Sequence, residues 1–435
     1  MKKNCLCLLF LSSLLLSACG SSNGNKEGKS AHFYDISPFG EDEEEEEEEN
    51  PNEVDYSYLF MLDTSKKSQC LVEEQVKLYT DAMYDQRDND DWKDEDKINN
   101  LHGDNIRIKT YMGNYDNSVP AEVRFEVDDS IKNDGFKVRC WPKGEKRHYR
   151  EVLAMDGAAQ FYNLKRGTQY EWCVISSSGK KSGVGTFKTD EYVRFLSCGK
   201  LFNVRDCGGW TTLDGKKVKQ GLLYRGGEIN EKQFDMNHTK NVTEEGKEIF
   251  VKDLGIKRQI DLRNDNEAHD MTYCPMNRDG AKESDPDFVY YTRLEIDSYS
   301  NGLNTKVYQN NIKTCFEQYL TNIDNEPIYC NCYGGADRTG TLCFLVGAIL
   351  GMSYTDLIID YEATSFSNNY KAHNVNQSYS KWPDMIDSIK KWSFYDETKP
   401  LKEIIETYLT TVCGVSASSI EKIREIMLED PKTLE

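Results

Sequence analysis

No Cys-x-x-Cys pair occurs in the 435 residues, although the chain holds 14 cysteines. The paired spacing that structural zinc sites use is therefore missing. Beyond the first 19 residues there is no stretch of about 20 uninterrupted apolar residues, so a later membrane-spanning helix is not expected. Positive charge is also scarce: 54 Lys and Arg stand against 74 Asp and Glu, a formal net charge of -20. That balance argues against nucleic acid or an anionic membrane as the partner of a general basic surface. Any anionic substrate must be held by a local site.

What is present is enough to fold. With 38% hydrophobic and 11% aromatic residues the chain can bury real cores, and its length suits two or three domains. It opens on "MKKNCLCLLFLSSLLLSACGSSNG", two lysines before an apolar stretch that ends in small residues, which reads as a secretory signal over residues 1–19. Leu16-Ser17-Ala18-Cys19 resembles the lipobox of bacterial lipoproteins, which implies lipid on Cys19 and an extracytoplasmic protein tethered to the membrane by its N-terminus. Removing Cys5, Cys7 and Cys19 from the count leaves 14 − 3 = 11 cysteines, an odd and irregularly scattered set that makes no disulfide framework.

Residues 20–55 carry "EDEEEEEEEN", whose glutamates repel one another and read as a solvated, extended linker. Residues 56–103 are left unassigned: "CLVEEQVKLYTDAMY" has helical spacing, while "DQRDNDDWKDEDK" looks exposed. Over residues 104–190 the period switches to two. "EVRFEV", "FKVRCW", "AQFYNL", "QYEWCVI" and "GVGTFKT" alternate apolar with polar between turn residues, which predicts an all-β sandwich. Within "LKRGTQYEWCV", Leu164, Thr168 and Tyr170 resemble the tyrosine corner of fibronectin type III domains, with Gly167 where that family usually has proline. No catalytic constellation is visible in this stretch.

Residues 195–435 read as an α/β domain. "GLLYR", "KRQIDLR", "FVYYTRLEI" and "PIYCNC" are predicted strands, alternating with helices such as "TKVYQNNIKTCFEQYLTNI", which favours a mainly parallel sheet flanked by helices. The chemistry sits in "IYCNCYGGADRTGTLCFLVGAIL", residues 328–350, a strand, a tight loop and a helix. Cys332 stands at the strand's C-terminal end, where open α/β sheets place their ligand sites. Gly334, Gly335 and Ala336 let the backbone curl so that its amides and the helix start form an anion nest. The same field favours a thiolate at Cys332, and Arg338 can grip two phosphoryl oxygens as a fork. No other cysteine in the chain has arginine six positions on. Transfer of a phosphoryl group to Cys332, followed by attack of water, is the expected reaction. It needs neither metal nor cofactor.

Cys-x5-Arg-Thr resembles the loop of the cysteine-dependent protein tyrosine phosphatases, and Asp-Arg-Thr-Gly resembles a bacterial branch of tyrosine and dual-specificity phosphatases. "LFNVRDCGGWTTLDGKKVKQGLLYRGGEIN", "LGIKRQIDLRNDNE", "IIDYEATS" and "YLTTVCGVSASSIEKIREIML" are similar to further stretches of that branch, so the likeness runs from about 195 to 430. It implies that Cys332 is the nucleophile, Arg338 the phosphate clamp and Asp337 the general acid, with Asp261 in reserve. The backbone of Tyr333, Gly334, Gly335, Ala336, Asp337 and Arg338 would hold the phosphate. Thr339 would donate to the thiolate, and Arg225 and Asp206 would support the site. The implied substrate is a phosphorylated protein or a small phosphomonoester.

The departures are instructive. Asn331 replaces the usual histidine before the nucleophile, and Ala336 replaces a lysine suited to a second phosphate. They leave room for a surface protein that binds phosphate esters with little turnover, and they disfavour the third alternative, an inositol-phosphate phosphatase. Cys207 and Cys330 are expected near Cys332, either as small buried residues or as thiols able to trap its oxidised form.

Overall fold

The computed structural model describes residues 54–85, 111–230, 242–367 and 381–431. The expected signal peptide, Cys19 and the glutamate run lie outside the described residues, as do residues 86–103 of the unassigned stretch. Among the described residues no helix is long and apolar enough to cross a membrane.

Alternation in the first half of the chain produces two sheets. Strands β1 (Phe60–Asp63), β3 (Ala121–Val127) and β6 (Ala158–Phe161) form one, in the order β1-β3-β6. The other contains β2 (Ser68–Gln69), β4 (Phe136–Pro142), β5 (Arg150–Leu153), β7 (Gln169–Ser176) and β8 (Gly185–Thr189), in the order β2-β8-β7-β4-β5. Along β7 every second residue is buried, from Tyr170 through Trp172 and Val174 to Ser176, as a strand with one face on a core requires. Val123, Phe125, Val138, Phe161 and Trp172 fill the shared core. At the corner before β7 the Lys165 amide donates to the Tyr170 hydroxyl at 2.9 Å, and the Tyr170 ring stacks on Phe187. These sheets begin at Phe60, well ahead of residue 104, because β1 pairs antiparallel with β3 and β2 pairs parallel with β8.

Further along the chain come β9 (Arg205–Asp206), β10 (Lys217–Val218), β11 (Leu223–Gly226), β12 (Arg258–Asp261), β13 (Tyr290–Arg293), β14 (Ile328–Asn331) and β15 (Leu428–Glu429). Five of them make a sheet in the order β13-β12-β14-β11-β9. Four run parallel, and only the edge strand β9 is antiparallel. All four residues of β14 are buried, which is what a central strand covered on both faces must be. The helix Asp337–Leu350 follows it and is buried at every residue from Thr339 to Leu350. Gly351 ends it in the left-handed conformation (φ 86°), where a side chain would be strained.

The helix Glu74–Asp85 settles part of the unassigned stretch: Val76, Tyr79 and Met83 pack into the core of the α/β layer. Tyr79 donates to Glu362, and its ring meets Phe366 edge-on at 5.5 Å. The two halves are also joined through Arg194. Its guanidinium donates to the carbonyls of Leu164 at 2.9 Å and Asn163 at 2.6 Å while it ion-pairs with Asp206 at 2.5 Å.

Candidate active site

The site assembles where β11, β12 and β14 end together, with Gly226, Asp261 and Asn331 in register. Cys332 follows directly and is only 2% exposed, at the floor of the loop. Tyr333 stands out at the rim, while Gly334, Gly335 and Ala336 are buried. Gly335 has φ +68°, and a β-carbon there would collide with the Gly226 carbonyl, so both the conformation and the close approach call for glycine.

The carbonyls of Gly334, Gly335 and Ala336 are held by side chains from outside the loop, and that of Tyr333 by the Glu228 amide at 3.1 Å. The Asn203 side-chain amide donates to the Gly334 carbonyl at 2.9 Å, and Arg225 Nη2 donates to the carbonyls of Gly335 at 2.8 Å and Ala336 at 3.4 Å. Carbonyl and N–H are antiparallel across a trans peptide, so carbonyls pinned outward turn the following amides toward the space that the loop encloses. Among the described residues the amides of Gly334, Gly335 and Ala336 have no protein acceptor. The helix Asp337–Leu350 adds its own start, which has no side-chain cap. Unpaired amides at a helix N-terminus form a cradle for an oxyanion.

The clamps are themselves fixed. Asp360 accepts from Arg225 Nη1 and, at 3.1 Å, from Arg205 Nε. Burial would push its carboxyl up, but the two guanidinium charges outweigh that and hold it below the usual carboxylate value. Arg205 also donates to the Asn203 side-chain oxygen at 2.5 Å, and the backbone amide of Asn203 donates to Asp116 at 2.6 Å. Asn203 itself has φ 55°, a left-handed conformation that asparagine tolerates better than most residues. Arg225 is therefore placed at the loop's outer wall. Asp206 is placed elsewhere: it accepts from Arg194, from the Gly208 amide at 2.7 Å and from the Gly221 amide at 2.8 Å.

Asp337 and Asp261 sit in opposite surroundings. Asp337, half-buried at the first turn of its helix, accepts from the Tyr299 hydroxyl, which lies 2.5 Å from the Tyr361 hydroxyl. Tyr299 has φ 55°, and its amide donates to Thr341 Oγ1 at 2.7 Å. Burial first, then the Tyr361 and Asp337 oxygens, push its phenol far up, so it stays a donor. Asp261 is fully buried. It accepts from Arg263 Nε at 2.9 Å and Nη2 at 2.6 Å, from Tyr291 at 3.2 Å and from the Asn331 side chain at 3.3 Å. The Asn331 oxygen in turn accepts from Gln259 at 2.9 Å. Asn331 thus braces the strand end with an uncharged side chain, donating to Asp261 and accepting from Gln259.

Arg338 is half-buried, and its fork holds Glu267 with bonds of 2.5 and 3.0 Å. Burial opposes its charge, but Glu267 and the Cys332 sulfur more than compensate and raise its pKa. The hydrogen bond from Arg338 is the first reason that the Glu267 carboxyl is lowered. Two placements differ from expectation. The Thr339 hydroxyl is buried with no partner among the described residues, so the bond to Cys332 is not made. Cys207 lies against Cys343 rather than Cys332. Cys330 is fully buried in the core, in keeping with its reading as a small buried residue. Tyr299, Tyr361, Glu267 and Asp360 were not foreseen as site residues. Asp360, Tyr361 and Glu267 lie within stretches that carried the family likeness, but nothing in their own spacing assigned them a partner.

Residues 196–429 match the family model described as the tyrosine phosphatase family. No curated protein matches the chain.

Proposed function

Because the chain belongs to the tyrosine phosphatase family, we propose that it hydrolyses phosphomonoesters through a cysteinyl-phosphate formed on Cys332. The carrying observation is the phosphate loop itself, in which the carbonyls of Gly334, Gly335 and Ala336 are pinned outward while the amides of the same three residues have no acceptor among the described residues, beside a buried sulfur. In the first step the sulfur attacks phosphorus and the S–P bond forms as the ester P–O bond breaks. Asp337 gives its proton to the departing oxygen. Water then attacks the phosphocysteine, Asp337 takes back a proton, and the thiolate leaves with inorganic phosphate free. The amides and Arg338 neutralise the oxygens throughout. The Thr339 hydroxyl, unpartnered beside the loop, is a donor available to the sulfur as it leaves.

Asp337 is favoured over Asp261 as the acid because Asp261 is locked by Arg263, whereas Asp337 is only half-buried and is held by the Tyr299 hydroxyl. Asp337→Ala should therefore slow alkyl phosphates by about 100-fold, a normal share for general acid catalysis, and activated aryl phosphates far less. The comparison of kcat across a series of leaving groups checks it. Equal losses on all esters would move the acid role elsewhere.

Glu267 competes with substrate for the Arg338 fork. Removing its charge with Glu267→Gln should strengthen inhibition by inorganic phosphate by about 1 kcal/mol, roughly fivefold in Ki. An unchanged or weaker Ki would show that Glu267 serves only to hold Arg338 in place.

The substrate class, a phosphotyrosine protein or a small phosphomonoester, is tested by turnover on phosphotyrosine peptides, phosphoserine peptides and inositol phosphates side by side. A lipid anchor on Cys19 and an extracytoplasmic site of action belong to the same proposal and rest on the N-terminal sequence. A fibronectin type III-like module, expected over residues 104–190 and joined in its two sheets by β1 and β2 from Phe60 onward, is supported by those sheets, their shared core and the Tyr170 corner.

A further inference from the structure

Two thiols outside the candidate active site lie in contact. Cys207 Sγ, in the segment just after β9, is 3.8 Å from Cys343 Sγ in the middle of the helix Asp337–Leu350. All 11 described cysteines are free. Cys207 is partly exposed, whereas Cys343 is buried. A small cavity lined by Trp210, Leu223, Val346 and Met427, with Asp360 at its wall, adjoins both.

We propose that Cys207 and Cys343 form an oxidisable dithiol, a modification site that a peroxide or a small disulfide converts into an internal Cys207–Cys343 disulfide without the participation of Cys332. Closing the bond requires the sulfurs to approach from 3.8 Å to about 2.05 Å. The cavity beside them gives the side chains space to turn. The Cys207 backbone is held by its amide on the Leu223 carbonyl at 2.8 Å, so the approach falls to the side-chain torsions of the two cysteines. The pair also divides the labour of such chemistry. The hydrogen bond from Cys207 is the largest reason that Cys343 is held below the usual thiol value, with the Arg225 charge assisting against burial. Cys207 is raised, first by that same bond, and keeps its proton.

The electrons balance by either route. With peroxide, the thiolate attacks an oxygen, the O–O bond breaks, and a sulfenic acid and one water result. The second thiol then displaces the sulfenic oxygen as a second water, so two electrons leave the sulfurs and reduce one peroxide. With a small disulfide, two successive thiol–disulfide exchanges release two small thiols. The product would tie the edge of the sheet to the helix that follows the phosphate loop, across 136 residues of sequence. This inference does not rest on the phosphatase reading.

The test takes the full chain, wild type and Cys332→Ser, reduced and then exposed to hydrogen peroxide or oxidised glutathione until dithiothreitol in a parallel tube is fully oxidised. Free thiols are alkylated, and the disulfides are mapped by mass spectrometry without reduction. A peptide containing Cys207 joined to one containing Cys343, present in both proteins and absent in Cys207→Ser, is the expected result. Oxidation should also raise the melting temperature of both by about 5 °C or more, because the closed loop is long. Alkylation of both sulfurs after oxidation, or a link from Cys207 to Cys332 instead, would overturn the proposal. The map of the unmutated chain decides the matter even if the serine variant fails to fold.

Discussion

Cys332→Ser should lower phosphomonoester hydrolysis by about 10,000-fold or more while the protein still folds and still binds phosphate. The size follows from the chemistry. A serine hydroxyl in this loop has no base beside it, because Asp337 is held by Tyr299 and serves the leaving group. Without ionisation it is a poor nucleophile, and the covalent step that divides the reaction is lost. Binding should survive because it resides in other atoms: the amides of Gly334, Gly335 and Ala336 and the fork of Arg338. Hydrolysis of an aryl phosphate under reducing conditions measures the loss, and isothermal titration with inorganic phosphate measures the binding. Robust turnover by the serine variant would remove the cysteinyl-phosphate mechanism. Loss of both turnover and phosphate binding would instead mean that the substitution had disturbed the cradle, and circular dichroism and melting would show it.

That division between sulfur and cradle mirrors what the sequence revealed and what it hid. The loop was legible because its parts are adjacent: strand, cysteine, small residues, arginine and helix fall within residues 328–350. The parallel strands were legible for the same local reason, as short apolar runs between turn signals. What holds the loop was not, because its partners are far apart in sequence. Asp360 reaches Arg225 across 135 residues, Glu267 reaches Arg338 across 71, and Tyr299 reaches Asp337 across 38. No periodicity links such pairs, and a carboxylate or a tyrosine carries no sign of its eventual partner. Strand β5 was missed because "REVL" is only four residues long, and just one of them is buried. Helix Glu74–Asp85 showed its period, but that it packs on the α/β core and not on the sheets became visible only in three dimensions.

Asp360 offers the sharpest test of that hidden scaffold. Its carboxylate lies between two fully buried guanidiniums, Arg205 and Arg225, and both reach the phosphate loop, one through Asn203 and the other directly. Asp360→Asn keeps the shape and removes the charge, leaving two buried cations with no anion between them. Breaking a buried pair from one side costs about 3–5 kcal/mol, so the melting temperature should fall by about 10 °C. Activity should fall with it, since Arg225 would no longer be held against the Gly335 and Ala336 carbonyls. Acidity supplies an internal control. The Asp360 carboxyl is held below its ordinary value of 3.8 in the folded protein, so it binds fewer protons there than in the unfolded chain. Its contribution is complete above that ordinary value and is lost as pH falls through the lower, folded value. Wild type and variant should therefore differ by a constant amount near neutrality and converge in strong acid, where the wild-type carboxyl becomes protonated. Denaturant unfolding of both proteins across that range reads the gap directly. A gap of less than about 1 kcal/mol at neutral pH, or one that widens on acidification, would mean that the two arginines are neutralised by other groups and that Asp360 does not hold the loop.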